Sequence, residues 1–250
     1  MSAISLTRHG EVWELRLTAP ERRNAIDRDL AARLVDLAGQ VATSGGRALV
    51  VSAEGDTFCS GADVVDLFGE IRPIDQTRQV LQEVYRGFLC LRDLPIPSVA
   101  AVQGAAIGAG FNLAMCCDIR ILGPQARLSL PFTRIGLHPG GGSTWFLVRA
   151  LGRERALKVL LEGGEFDAEQ AVAQGLASAI APDPREAALA WAQTVADRDP
   201  ALVAAVRRCV DLAVEGSLAA VTELESWEQA RSASSPALAR HVERFRNRTR

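Results

Sequence analysis

Two segments of the chain bring glycine and other small residues to what reads as the opening of a helix. One is Thr57-Phe58-Cys59-Ser60-Gly61-Ala62-Asp63, which follows the apolar run at residues 48–52. The other is Gln103-Gly104-Ala105-Ala106-Ile107-Gly108-Ala109-Gly110, which follows the apolar run at residues 98–102. The first N–H groups of a helix have no partner inside it, and with the helix dipole behind them they suit an anion. Residues without bulky side chains let a ligand approach that backbone closely. Two such N–H groups converging on one carbonyl oxygen would form an oxyanion hole, able to stabilise charge that develops there during a reaction. The same composition also suits tight strand-to-helix turns packed on a sheet, and composition alone leaves both uses open.

Three sharper motifs are incomplete. Gly108-Ala109-Gly110 begins like a dinucleotide-binding turn, but Leu113 stands where the third glycine belongs. The nearest acid, Asp118, comes too early for a ribose contact expected about 20 residues on. Pro139-Gly140-Gly141-Gly142-Ser143-Thr144 lacks the Gly-Lys-Ser/Thr ending of a P-loop. No Gly-x-Ser-x-Gly nucleophile elbow occurs. Among titratable residues, His138 sits beside the glycine-rich turn, and histidine changes charge near neutral pH. Asp63, Asp66 and Glu70 lie in or beside the first segment, with Glu83 and Tyr85 further on. Caps and solvated helix faces are the ordinary places for such acids, and Asp63 reads as an acid at a helix N-terminus.

The elements that must hold these segments can be read from periodicity and breakers. Short strands are expected over residues 4–7 and 12–17, around a His9-Gly10 turn. Asp27 is placed to cap a helix whose apolar residues, Leu30, Leu34, Leu37 and Val41, form one stripe. Short strands of the buried, parallel-sheet type follow at residues 48–52 and 98–102, with another strand at 119–122. A helix over 77–91 stops before Pro95 and Pro97. Alternation of strand and helix argues for an α/β fold with a largely parallel sheet. Beyond Gly163, Phe166-Asp167 precedes a short helix, a last strand falls at 177–180, and from Pro184 the pattern is helical. The expected division is a core over residues 1–195 and a helical region over 196–250.

Composition bounds the rest. The chain has 250 residues, 48% hydrophobic and 23% charged, enough to bury a core without a disulfide or metal staple. A net charge of −2 offers no basic field for nucleic acid. The five cysteines include no Cys-x-x-Cys, and with three histidines they make no plausible zinc set. Residues 1–10 carry no apolar core of a signal peptide, and no apolar run reaches the roughly 18 residues of a membrane span. The expectation is a cytoplasmic protein with free thiols and no membrane span.

Taken in order, several segments carry a resemblance. They are Pro20-Glu21-Arg22-Arg23-Asn24-Ala25-Ile26, Phe58-Cys59-Ser60-Gly61-Ala62-Asp63 and Val99-Ala100-Ala101-Val102-Gln103-Gly104. Gly108-Ala109-Gly110-Phe111-Asn112-Leu113-Ala114, Cys117-Asp118-Ile119 and Ile135-Gly136-Leu137-His138-Pro139-Gly140-Gly141-Gly142 continue the series. With them the chain resembles the enoyl-CoA hydratase/isomerase, or crotonase, superfamily. The resemblance implies a crotonase-like spiral of ββα turns with a helical C-terminal region that packs trimers, often paired into hexamers. It implies a coenzyme A thioester as substrate or ligand and no other cofactor. Adenine and pantetheine would lie along the segments containing Arg23, Ala25 and residues 62–64 (Ala62, Asp63 and Val64), with Ser60, Gly61, Gly108, Phe132 and Gly140 also expected to bind substrate. The family's oxyanion hole falls on the backbone N–H groups of Ala62 and Ala109, beside Gly108, where a thioester enolate would be stabilised.

The departures are as informative. The two glutamates that hold and activate water in family hydratases fall on Asn112 and Phe132, and a third acidic position falls on Gly140. An amide can orient water but cannot act as a base near neutral pH, and a phenyl ring can do neither. Each such group contributes about 10²–10⁴ in rate, so efficient hydration is not expected. The primary expectation is an acyl-CoA enzyme working through an oxyanion-stabilised enolate, nominally a hydratase or isomerase, with Asn112 and His138 handling water or proton. The alternatives are a non-catalytic acyl-CoA carrier or sensor, whose apolar pocket Phe132 would favour, and a hydrolase or decarboxylase of the same family.

Overall fold

In the computed structural model, residues 3–248 are described, and they divide into two compact units between Ala196 and Asp197. The first unit is built on two sheets. Its strands are β1 (Ile4–His9), β2 (Val12–Leu17), β3 (Ala48–Ala53), β4 (Thr57–Cys59) and β5 (Ser98–Val102). They continue with β6 (Ala105–Ile107), β7 (Ile119–Leu122), β8 (Arg127–Ser129), β9 (Glu165–Asp167) and β10 (Ala179–Ile180). A six-stranded sheet runs β1-β2-β3-β5-β7-β10, antiparallel only between β1 and β2. A four-stranded sheet runs β4-β6-β8-β9, antiparallel only between β8 and β9.

The first sheet was expected; the second was not. Strands of three residues, as in β4, β6, β8 and β9, are too short to show a period of two, and only their pairing defines them. Strands β3, β5 and β7 of the first sheet each continue after a break into a short strand of the second, β4, β6 and β8. That continuation carries the two glycine-rich segments to one place.

Helix α1 (Arg28–Thr43) starts where expected: Asp27 accepts from the Leu30 N–H, and Leu30, Leu34, Leu37 and Val41 are buried. Helix α2 (Val64–Phe68) is a short turn capped by Asp63, and α3 (Ile74–Leu89) begins three residues earlier and ends two earlier than periodicity indicates. Helices α4 (Ala109–Met115), α5 (Ser143–Leu151), α6 (Arg153–Glu162) and α7 (Ala168–Ala173) complete the inner layer. Asp167 and Gln170 form a reciprocal cap on α7. The main core lies between the sheets and these helices, around Phe58, Phe88, Phe111, Leu34 and Leu113.

Helix α8 (Pro184–Ala196) covers the opposite face of the six-stranded sheet, laying Ala188, Ala192 and Ala196 on Val12, Val50, Val99 and Ile121. It is tied down by a buried carboxylate. Glu14 of β2 accepts from Arg185 Nε and Nη2 at 2.6 and 2.7 Å, from Ser52 Oγ at 2.6 Å, and pairs with His9 Nε2 at 2.9 Å. Burial opposes its charge, but the hydrogen bonds of Arg185, Ser52 and His9 outweigh that and hold the carboxyl at about 2.

The second unit consists of α9 (Pro200–Glu215), α10 (Leu218–Ala233) and α11 (Pro236–Arg248). Asp199 caps α9, with Pro200 in its first turn, and Arg208 reaches Glu228 across α9 and α10 at 2.9 Å.

Candidate active site

Strands β4 and β6 lie side by side and parallel, so the chain leaves both at the same edge of the sheet. Each exit turns at a glycine with positive φ, Gly61 at 104° and Gly108 at 53°, a conformation L side chains rarely adopt. Space as well as dihedral demands glycine at 61. A Cβ there would stand 2.7 Å from the Ile107 carbonyl oxygen and 3.7 Å from the Ala109 nitrogen. Nothing larger fits between the two segments. The residues that follow the glycines are Ala62 and Ala109.

Neighbouring backbone bonds fix the direction of these two amides. In the Ile26–Ala62 bridge, the Ile26 N–H donates to the Gly61 carbonyl and the Asp63 N–H to the Ile26 carbonyl, which leaves the Ala62 N–H on the other side. Ala109 is the first residue of α4, where no carbonyl lies four residues back in helical geometry. Among the described residues no acceptor takes the N–H of either. Both alanines line a cavity of about 360 Å³, a size suited to a small ligand.

Its walls are mostly apolar: Val64, Leu67, Phe68, Leu81, Val84, Ile107, Pro131, Phe132, Ile135 and Leu137 contribute, with Ser60, Gly61, Gly108 and Gly140. Among the described residues that line it there is no aspartate or glutamate. The polar side chains are Ser60, Tyr85, Asn112 and His138. Phe132 opens a short 3₁₀ turn after Pro131, and a Cβ on Gly108 would come within 3.5 Å of its ring.

Asn112 lines the cavity, and each of its polar atoms already holds one hydrogen bond. Nδ2 donates to the Gly140 carbonyl at 2.9 Å and Oδ1 accepts from Ser143 Oγ at 2.9 Å, with the residue 1% exposed. The expected water-orienting amide is thus engaged in pinning the glycine turn to α4. His138 is exposed at the rim, its Nδ1 2.7 Å from the Pro139 carbonyl oxygen. A carbonyl only accepts, so Nδ1 carries the hydrogen, and in the neutral ring Nε2 keeps its lone pair. Tyr85, on α3, is half-buried. Burial pushes its phenol up, with the Gly141 N–H partly offsetting this.

Several expected site residues stand elsewhere. Asp63 does not line the cavity: it caps α2 through the Val65 and Asp66 N–H groups and faces Arg22 at 3.4 Å. Arg23 and Ala25 also lie outside the cavity lining, although the Arg23 carbonyl accepts from the Ser60 N–H and so abuts the first glycine segment. Asp66 pairs with Arg28, Glu70 with Arg72, and Glu83 is exposed away from the cavity lining. Asp118 clamps the start of β5, accepting from the Ser98 N–H and hydroxyl.

One positioning residue was missed. Asn24 is wholly buried in the left-handed region, φ 52°, where it accepts from the Ala19 N–H and donates to the Glu54 and Thr57 carbonyls. It staples the loop before α1 to the start of β4. The signal available was its residue type, since asparagine tolerates this conformation better than most.

Comparison with known proteins agrees with the fold. The sequence profile of the Enoyl-CoA hydratase/isomerase family matches residues 7–248. "Probable enoyl-CoA hydratase EchA14" of Mycobacterium tuberculosis is 38% identical over 243 residues, covering 94% of this chain and 93% of that protein. The crystal structure of an enoyl-CoA hydratase from Polaromonas sp. JS666 superposes with a TM-score of 0.89 at 27% identity, covering 99% of this chain and 98% of that one. A Thermobifida fusca YX protein solved in complex with CoA gives a TM-score of 0.82 at 33% identity, covering 98% and 95%. The chain belongs to the enoyl-CoA hydratase/isomerase family, and its α/β fold is that of the crotonase structures.

Proposed function

We propose that the chain binds an acyl-CoA thioester in this cavity and polarises its carbonyl between the Ala62 and Ala109 N–H groups, stabilising an enolate. The observation that carries this is the pair of backbone donors, free of acceptors, on adjacent glycine turns at one apolar cavity. The relative solved with CoA supports coenzyme A as the carrier group. Arg23, Ala25 and Asp63 would line the path of the CoA moiety outside the cavity, and Ser60, Gly61, Val64, Gly108, Phe132 and Gly140 would surround the thioester and acyl group.

Hydration through paired carboxylates is disfavoured, because no acid among the described residues lines the cavity and Asn112 is engaged with Gly140 and Ser143. The reaction that fits is proton movement beside the carbonyl: removal from Cα by His138 Nε2, then return to carbon. Such a step exchanges Cα hydrogen with solvent or moves a double bond. A carrier that holds a fatty chain unchanged is the second reading, favoured by the same absence of carboxylates. Copies are proposed to associate as trimers or paired trimers through the helical unit.

Mass spectrometry of 2-enoyl, 3-enoyl and saturated acyl-CoAs incubated in heavy water tests the primary reading. Ala109→Pro, checked for folding, is the control, since the first turn of a helix tolerates proline and the ring replaces that N–H with carbon. Deuterium uptake or double-bond movement that falls about 100-fold or more in the variant is expected. Water addition at rates usual for two-carboxylate hydratases overturns the proton-transfer reading, and ligands that bind and return unlabelled establish the carrier.

A further inference from the structure

The glycine turn after His138 has an unusual neighbour. Gly140 has no side chain, and the space a side chain would need is filled by the Tyr85 hydroxyl: a Cβ on Gly140 would overlap Oη and lie 3.1 Å from the ring carbon that bears it. Tyr85 comes from α3 and Gly140 from the turn before α5, and both line the cavity. The nearby acceptor, the Gly140 carbonyl, already takes a hydrogen bond from Asn112 Nδ2 at 2.9 Å and lies 2.8 Å from Ser143 Oγ, whose one proton it shares with Asn112 Oδ1. Among the described residues no acceptor takes the Tyr85 proton. The phenol therefore brings a free O–H donor to a cavity whose other walls are mostly hydrocarbon. Its ring is held against Phe88, with centroids 6.1 Å apart, so the hydroxyl is presented from a fixed helix face.

We propose that Tyr85 is a second proton-handling catalytic residue of this site, delivering a proton to the acyl chain at a carbon beyond Cα. It rests on the acyl-CoA reading above. For a 3-enoyl thioester, His138 Nε2 takes a Cα proton, and the C–H electron pair enters the conjugated system as a dienolate held by Ala62 and Ala109. The dienolate then takes the Tyr85 proton at Cγ, a new C–H bond forms, and the double bond settles between Cα and Cβ. The phenolate left behind recovers a proton from the His138 imidazolium through water, so the cycle consumes nothing. Burial, which keeps the phenol protonated at neutral pH, is consistent with a donor.

The test compares the wild-type protein, Tyr85→Phe and Gly140→Ala with a saturated acyl-CoA and a 3-enoyl-CoA in heavy water. Folding is verified by thermal melting. Saturated substrate reports Cα exchange, which needs only His138 and the oxyanion donors; 3-enoyl substrate reports delivery to Cγ. In Tyr85→Phe, double-bond movement is expected to fall about 100-fold while Cα exchange changes less than threefold. Gly140→Ala, which forces the hydroxyl aside, is expected to lower double-bond movement as well, and the double variant to isomerise no more slowly than Gly140→Ala alone. Equal losses in both reactions, or wild-type isomerisation by Tyr85→Phe, overturn the role of Tyr85 and leave the enolate reading standing. Wild-type protein that exchanges Cα but never moves the double bond does the same. Wild-type protein that binds ligand without any exchange overturns both.

Discussion

At the residue scale, the candidate site owes its character to what is missing as much as to what is present. Among the described residues two backbone amides meet no acceptor, Ala62 because its neighbours' hydrogen bonds point the other way and Ala109 because it opens a helix, while the amide of Asn112 is engaged in holding a turn. That leaves His138, oriented through Nδ1 by the Pro139 carbonyl, as the group able to act as a base near neutral pH. His138→Gln is expected to lower Cα exchange by about 10²–10⁴. Deuterium uptake measured on both proteins checks this, and exchange at the wild-type rate in the variant assigns the base elsewhere.

At the element scale, the position of α8 on the sheet depends on Glu14. Its carboxyl, 2% exposed, is charged because Arg185, Ser52 and His9 converge on it from α8, β3 and β1. The group titrates near 2 in the folded chain against an ordinary 4.5, so its contribution is complete above 4.5 and is lost as pH falls toward 2. The size is about 3 kcal/mol. Denaturant unfolding between pH 6 and 2 is expected to show Glu14→Gln less stable than wild type at pH 6, with the gap closing as acid is added. A gap independent of pH would mean that the side chain matters for packing rather than charge. The turn elements have a parallel logic. Gly61 and Gly108 end short strands that have no strength of their own, and Asn24 anchors the loop beside them.

At the scale of the whole molecule, the helical unit leaves Val206, Val210 and Val214 of α9 at 55, 59 and 51% exposure within one chain. Along one helix that spacing makes a stripe, and an apolar stripe in water calls for a covering surface. Sedimentation is expected to find trimers or multiples of them, and Val210→Glu to shift the population toward monomer; a wild-type monomer at micromolar concentration removes the trimer proposal. What was readable from residues alone follows from local physics. Asp27 caps α1, the apolar runs at β3 and β5 form buried strands, and small residues open α2 and α4, because each depends on neighbours close in the chain. The second sheet was invisible, since three-residue strands carry no period. The apposition of Ala62 and Ala109, the engagement of Asn112 by Gly140 and Ser143, and the Tyr85 hydroxyl in the space beside Gly140 depend on contacts between distant segments. No local preference encodes such contacts. Only the folded packing decides which polar atoms are spent on structure and which remain free for a ligand.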